Sequence, residues 1–140
     1  MPTKIFVNLP VRNLEKSIAF YEALGFARNP QFTDETAACI VISDAIYAML
    51  LTHAKFREFT NRQIADARKT TEVLTCLSVD SRGEVDRLSD AALQAGGTET
   101  REPLDYGFMF NRSFDDPDGH IWEVVWMDEA AMQKQMAQAG

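Results

Sequence analysis

The chain reads as an α+β protein of two βαβββ modules whose paired, curved mixed sheets surround a cavity. Three observations predict this. The spacing of apolar residues switches from strand-like to helical and back, twice along the 140 residues. "LPV" at 9–11 is matched by "LSV" at 77–79, and each precedes a helical stretch that ends in glycine. Three short β-like runs then follow each helix. A period this long with two copies excludes a solenoid and fits pseudo-symmetric halves. The expected organisation is one domain over 1–140: module one at about 1–66, module two at about 72–128 and a C-terminal tail at 129–140.

Taken in order, "KIFVNLPV" is rich in β-formers and reads as a strand. "NLEKSIAFYEALGF" changes period: Asn13 suits an N-cap, Leu14, Ile18, Tyr21 and Leu24 share a helical face, and Gly25 stands where a C-terminus needs positive φ. "FARNPQF", "TAACIVIS" and "AIYAMLLTH" are strand-like and separated by polar turns. "AKFREFTNRQIADARKTTE" reads as a short helix and a loop. "EVLTCLSVD" then restarts the pattern as a strand. In "SRGEVDRLSDAALQAGG", Ser81 and Glu84 have capping-box spacing, and Val85, Leu88 and Ala92 share a face. "TETRE", "GFMFNRSF" and "HIWEVVW" are three further strands, and "DEAAMQKQMAQAG" favours a helix.

Composition narrows the partners. The formal net charge is −7, with Lys and Arg scattered, which argues against nucleic acid and acidic membrane surfaces. No window approaches a membrane span, and the short apolar stretch before Pro10 is not a signal peptide. Cys39 and Cys76 sit in apolar runs without C-x-x-C spacing, so the expectation is buried, reduced thiols in a cytoplasmic protein.

The stretch with most chemical content is "FDDPDGHIWEVVW", a turn followed by an apolar strand that carries Glu123. Asp116-Pro117-Asp118-Gly119 suits a type I hairpin turn. The three aspartates lack the further carboxylates of a calcium loop, so the hairpin is the favoured reading. Glu123 either pairs with a strand neighbour such as Arg112 or is isolated and used in chemistry.

"LPVRNLEKSIAFYEALGF", "LSVD" and "DDPDGHIWEV", in this order and spacing, make the chain resemble the vicinal oxygen chelate superfamily, which includes glyoxalase I, bleomycin-resistance proteins and extradiol dioxygenases. The resemblance implies a homodimer and, in the metalloenzymes, one divalent metal held by four side chains from the first and last strands of each half. Through "LPV", "IYAMLL", "LSVD" and "DPDG" these positions fall on Phe6, Met49, Leu74 and Glu123. A carboxylate is the one competent ligand there for a hard or borderline metal. The expectation is therefore no metal and no other cofactor, a divalent ion being the disfavoured alternative.

Asn8 alternates in phase with Phe6, and Leu51 with Met49, so both are expected to line the cavity, together with Phe110 and Arg112. The aromatics Phe6, Phe108, Phe110, Trp122 and Trp126 either line a pocket or fill the core. His53 could reach Glu123 from the end of "AMLLTH", while His120 suits a solvent-facing turn cap. Two functions stay open. The first is a metal-independent module that binds a small organic molecule. The second is a lyase, isomerase or dioxygenase of the same superfamily using Glu123, assisted by His53, as acid or base.

Overall fold

The first strand, β1 (Ile5–Val11), leads into helix α1 (Leu14–Ala23), which Asn13 caps by accepting the Lys16 N–H at 3.1 Å. Strands β2 (Ala27–Asn29), β3 (Ala37–Val41) and β4 (Ile46–Thr52) complete the first module. Helix α2 (His53–Arg57) and an irregular linker precede β5 (Thr75–Ser78). Helix α3 (Arg82–Gln94), the two-residue strands β6 (Thr98–Glu99) and β7 (Leu104–Asp105), and the hairpin of β8 (Met109–Asp115) and β9 (Ile121–Met127) form the second. Helix α4 (Glu129–Ala139) follows. This computed structural model describes residues 2–139; Met1 and Gly140, the outermost residues of the first module and of the tail, lie outside the described residues.

Among the described residues the strands form two mixed sheets, ordered β1-β4-β3-β2 and β5-β9-β8-β6, with β7 also paired to β8. The symmetry read from "LPV" and "LSV" is visible in the pairing. The first strand of each module runs parallel to its last, and the last is antiparallel to the strand before it. Each sheet turns one face to a helix, and α1 and α3 touch each other. Leu9, Val11, Ala48 and Leu50 on that face of the first sheet join Phe114, Trp122 and Val124 of the second in one continuous buried core.

The Asp-Pro-Asp-Gly turn joins the two modules. Asp116 and Asp118 are 4% and 7% exposed, and buried carboxylates need partners. Asp116 accepts the Asp118 and His120 backbone N–H groups at 2.9 Å on one oxygen and the Tyr21 hydroxyl at 2.5 Å on the other. Tyr21 in turn accepts the Trp122 indole N–H at 2.9 Å. Asp118 accepts the Arg12 N–H at 2.9 Å and the Ser17 hydroxyl at 3.3 Å. Burial raises the Asp116 carboxyl above its usual range, and burial beside Asp116 raises the Tyr21 phenol well above its own. Gly119 has φ +92°, and a Cβ there would meet the Arg68 side chain at 2.6 Å, so glycine is required for conformation and space alike. Arg68 also donates to the Pro117 carbonyl, which seats the linker on the turn. These carboxylates are consumed by inter-module contacts, in keeping with a hairpin turn.

Candidate functional site

Strand alternation divides the inventory of polar groups. On β9, Trp122 and Val124 enter the core, so Ile121, Glu123 and Val125 face the opposite way. Glu123 stands between Cys76 on β5 and Ser113 on β8 in the sheet register. Its partner comes from outside the sheet. The Arg101 Nη2 group donates to Glu123 Oε2 at 3.1 Å and to Asn111 Oδ1 at 2.6 Å. The Glu123 side chain is 17% exposed and that of Arg101 33%. Ser113 is 1% exposed, and its hydroxyl has no hydrogen-bond partner among the described residues. The Cys76 thiol is pushed up by partial desolvation and then by the Glu123 carboxylate, so it carries little thiolate at neutral pH and is a poor nucleophile.

A cavity of about 310 Å³ lies where the two modules meet under the linker. Asn8 and Pro10 of β1 line one side, Thr75, Ile121 and Trp122 the other, and Phe56 and Ile64 belong to the cover. The size falls within the ordinary range for small-molecule sites. Glu123 does not line this cavity, but Ile121 does, and Glu123 follows it on the same face about 7 Å along the strand. The Arg101–Glu123 group therefore stands next to the cavity, beyond its wall.

Of the residues expected to line the cavity, Asn8 does so. Phe6 and Met49 share its face of the sheet, where the Phe6 ring stacks on Tyr47 at 4.7 Å. Leu51 is buried on that face, and Leu74 is exposed just before β5. Phe110 and Arg112 are corrections. Both project to the helix side of β8, where Phe110 lies 4.5 Å beneath the Arg82 guanidinium. Arg112 is held by Asp86, Asp90 and Glu99 at 2.9, 3.0 and 3.2 Å, so it does not pair with Glu123. The alternation is strict: Arg112 is one residue from both Asn111 and Ser113, which face Glu123.

His53 is also displaced. The strand stops at Thr52, whose hydroxyl accepts the Lys55 N–H at 3.2 Å and starts α2, so His53 leaves the sheet. It lines a small cleft with His120 and Asp118 and makes no ion pair with Glu123 among the described residues. His120 is half-buried rather than solvent-facing, and its Nε2–H donates to the Pro10 carbonyl at 2.7 Å across the module boundary. Among the cysteines Cys39 is buried, where burial raises its thiol, and Cys76 is exposed. Trp122 is in the core, with Phe110 and Trp126 packed against it. Arg101 carries no local sequence signal for this role, whereas the alternation that marks Glu123 marks Asn111 and Ser113 too.

The donor set does not fit the superfamily's metal. Phe6 and Leu74 offer no lone pair, Met49 offers a soft thioether, and Glu123 is already neutralised by Arg101. No three His, Cys, Asp or Glu side chains gather in a metal-binding arrangement among the described residues.

The model of the glyoxalase/bleomycin resistance protein/dioxygenase superfamily matches residues 5–124. A hypothetical protein from S. aureus is 29% identical, covering 90% of this chain and 94% of its own, with a TM-score of 0.75. A glyoxalase-related enzyme from Fulvimarina pelagi is 22% identical, covering 90% and 88%, with a TM-score of 0.75. The fosfomycin resistance protein FosX from Mesorhizobium loti is 15% identical, covering 95% and 98%, with a TM-score of 0.68. The last two likenesses bear on the fold alone. No curated protein matches.

Proposed function

The chain belongs to the glyoxalase/bleomycin resistance protein/dioxygenase superfamily, and from that premise we propose that it binds a small organic molecule between its modules without a divalent metal. The observation that carries this reading is the cavity of about 310 Å³, where apolar Ile64, Ile121 and Trp122 stand beside polar groups from the strands, Asn8 and Thr75, and from the linker, Arg62, Gln63 and Glu72. The apolar residues at the metal positions support metal independence. Ile5, Phe6, Val73 and Leu74 are exposed at or beside the edge strands β1 and β5, which supports a homodimer that covers them. A net charge of −7 disfavours nucleic acid and anionic membranes as partners, and among the described residues no helix is long and apolar enough to cross a membrane. Two free thiols suit a reducing, cytoplasmic setting.

Native mass spectrometry of the purified protein tests the binding, with a co-purified small molecule expected in wild type and lost in I121W, which fills the cavity. Calorimetric titration with Ni²⁺, Zn²⁺, Mn²⁺ and Fe²⁺ tests metal independence; stoichiometric sub-micromolar binding overturns it. One observation favours a second reading, a lyase, isomerase or dioxygenase that uses Glu123. Its Oε1 atom accepts no hydrogen bond among the described residues, which leaves an oxygen for a proton beside the cavity. His53 has no part in that version. An E123Q variant that turns over as fast as wild type excludes it.

A further inference from the structure

Arg101 has an unusual position for a sheet-edge arginine. It follows β6, yet its side chain crosses β8 and ends at Glu123 on β9. Thr100 donates its backbone N–H to the Ser113 carbonyl at 3.2 Å, so Arg101 begins beside Ser113 and passes over it. Glu123 and Asn111 hold Nη2, the Glu102 carbonyl takes one Nη1–H at 3.1 Å, and the Nε–H has no partner among the described residues. A guanidinium fixed on two sides with a spare donor is a pre-organised contact for an oxygen atom. The buried Ser113 hydroxyl beneath it is a second unsatisfied group, and such a group carries a cost unless something meets it. The apolar residues Ile121 and Val125 continue this face on either side of Glu123.

We infer that Arg101, positioned by Glu123 and Asn111 and backed by Ser113, supplies here the electropositive contact for a ligand oxygen, and that the ligand is an uncharged carbonyl compound with an apolar body. The inference rests on the reading that the neighbouring cavity binds a small molecule. The charge balance selects the class. Arg101 and Glu123 cancel, as do the formal charges of Arg62 and Glu72 in the cavity lining, so a carboxylate would bring an unmatched negative charge next to Glu123. A carbonyl oxygen needs a donor alone, and the site has one in the Arg101 Nε–H. The ligand's apolar part then follows β9 toward Ile121 and the cavity.

The test uses three probes of one shape: acetophenone, its hydrocarbon isostere α-methylstyrene, and benzoate. Each is titrated into the full chain and followed by ¹H–¹⁵N spectra. The Arg101 Nε–H, assigned by its loss in R101K, reports the new contact, and the Trp122 indole N–H, assigned by its loss in W122F, reports the cavity. Acetophenone is expected to move both signals and to bind about tenfold more tightly than α-methylstyrene, the worth of one hydrogen bond to a charged donor. R101M leaves Glu123 without its counter-ion, so the neutral pair R101M/E123Q is measured beside it. In both, the preference for acetophenone should fall below about threefold while α-methylstyrene still binds. Equal binding of the two probes to wild type, a preference retained in both variants, or tighter binding of benzoate overturns the inference and leaves the cavity reading standing. If no probe moves the Trp122 signal, both fall.

Discussion

Replacing Tyr21 by Phe removes one oxygen from the bond that joins the modules, with the ring packing unchanged. Two buried groups lose their partner: the Trp122 indole N–H, which donates to the hydroxyl at 2.9 Å, and Asp116 Oδ2, which accepts from it at 2.5 Å. A buried donor or acceptor left unpaired costs about 1–3 kcal/mol, with the charged one toward the upper end, so Y21F should lose about 3 kcal/mol. For a domain of this size that lowers Tm by roughly 10 °C. Y47F is the control, since the exposed Tyr47 hydroxyl bonds the Asp44 carbonyl and its loss should change stability by less than about 0.5 kcal/mol. The pH dependence gives a second check. Burial raises the folded Asp116 carboxyl above the ordinary value of 3.8, so its contribution to stability is fully present below that value and is lost as pH rises through the folded one. The Tyr21 hydrogen bond works against this rise by favouring the ionised form. Without it the folded value climbs further, so the damage in Y21F should be larger at pH 7 than near pH 4. Urea unfolding of both variants at the two pH values measures this. A loss below about 1 kcal/mol at pH 7, or equal losses at the two pH values, refutes the reasoning.

Three further outcomes follow from the same structure. Cys76, although exposed, should react slowly with iodoacetamide at pH 7.5; E123Q removes the carboxylate that raises its thiol and should speed alkylation several-fold, read by mass spectrometry. R112M leaves Asp86, Asp90 and Glu99 facing one another without their shared cation; because these carboxylates stay solvated it should cost about 1 kcal/mol, with D86N/D90N added to R112M recovering part, by chemical denaturation. G119A forces a side chain into φ +92° and against Arg68, and should lower stability by about 1–3 kcal/mol in a thermal melt.

The fold was legible in the sequence because its signals are local and repeated. Asn13 and Ser81 cap helices where the residue types say they should, Gly25 takes positive φ, and alternation on β1, β4 and β9 sorts core from opposite face correctly. The candidate site was less legible, because its geometry depends on contacts between residues far apart in sequence. Nothing in "TETRE" announces that Arg101 will cross a strand to meet Glu123, 22 residues away. Arg112 misses Glu123 by a single step of pleat, which in a strand is the difference between opposite faces. His53 misled for a related reason: Thr52 is an acceptable strand residue and a good N-cap, and the cap prevailed. The linker that covers the cavity has no periodicity to read, so its part in the site appears only once Arg68 is seen seated on the turn.

The turn that binds the modules also sets the order in which the chain can complete its fold. Arg12, Ser17 and Tyr21 belong to the first quarter of the sequence, but the groups that satisfy them, Asp116, Asp118 and Trp122, lie 95 to 106 residues later. During synthesis, at about 5–20 residues per second, the first module therefore waits several seconds with its α1 face unfinished until the last hairpin emerges. The two halves are alike in outline, yet the α1 face of the first is completed only by groups of the last hairpin, so its polar contacts close late in synthesis.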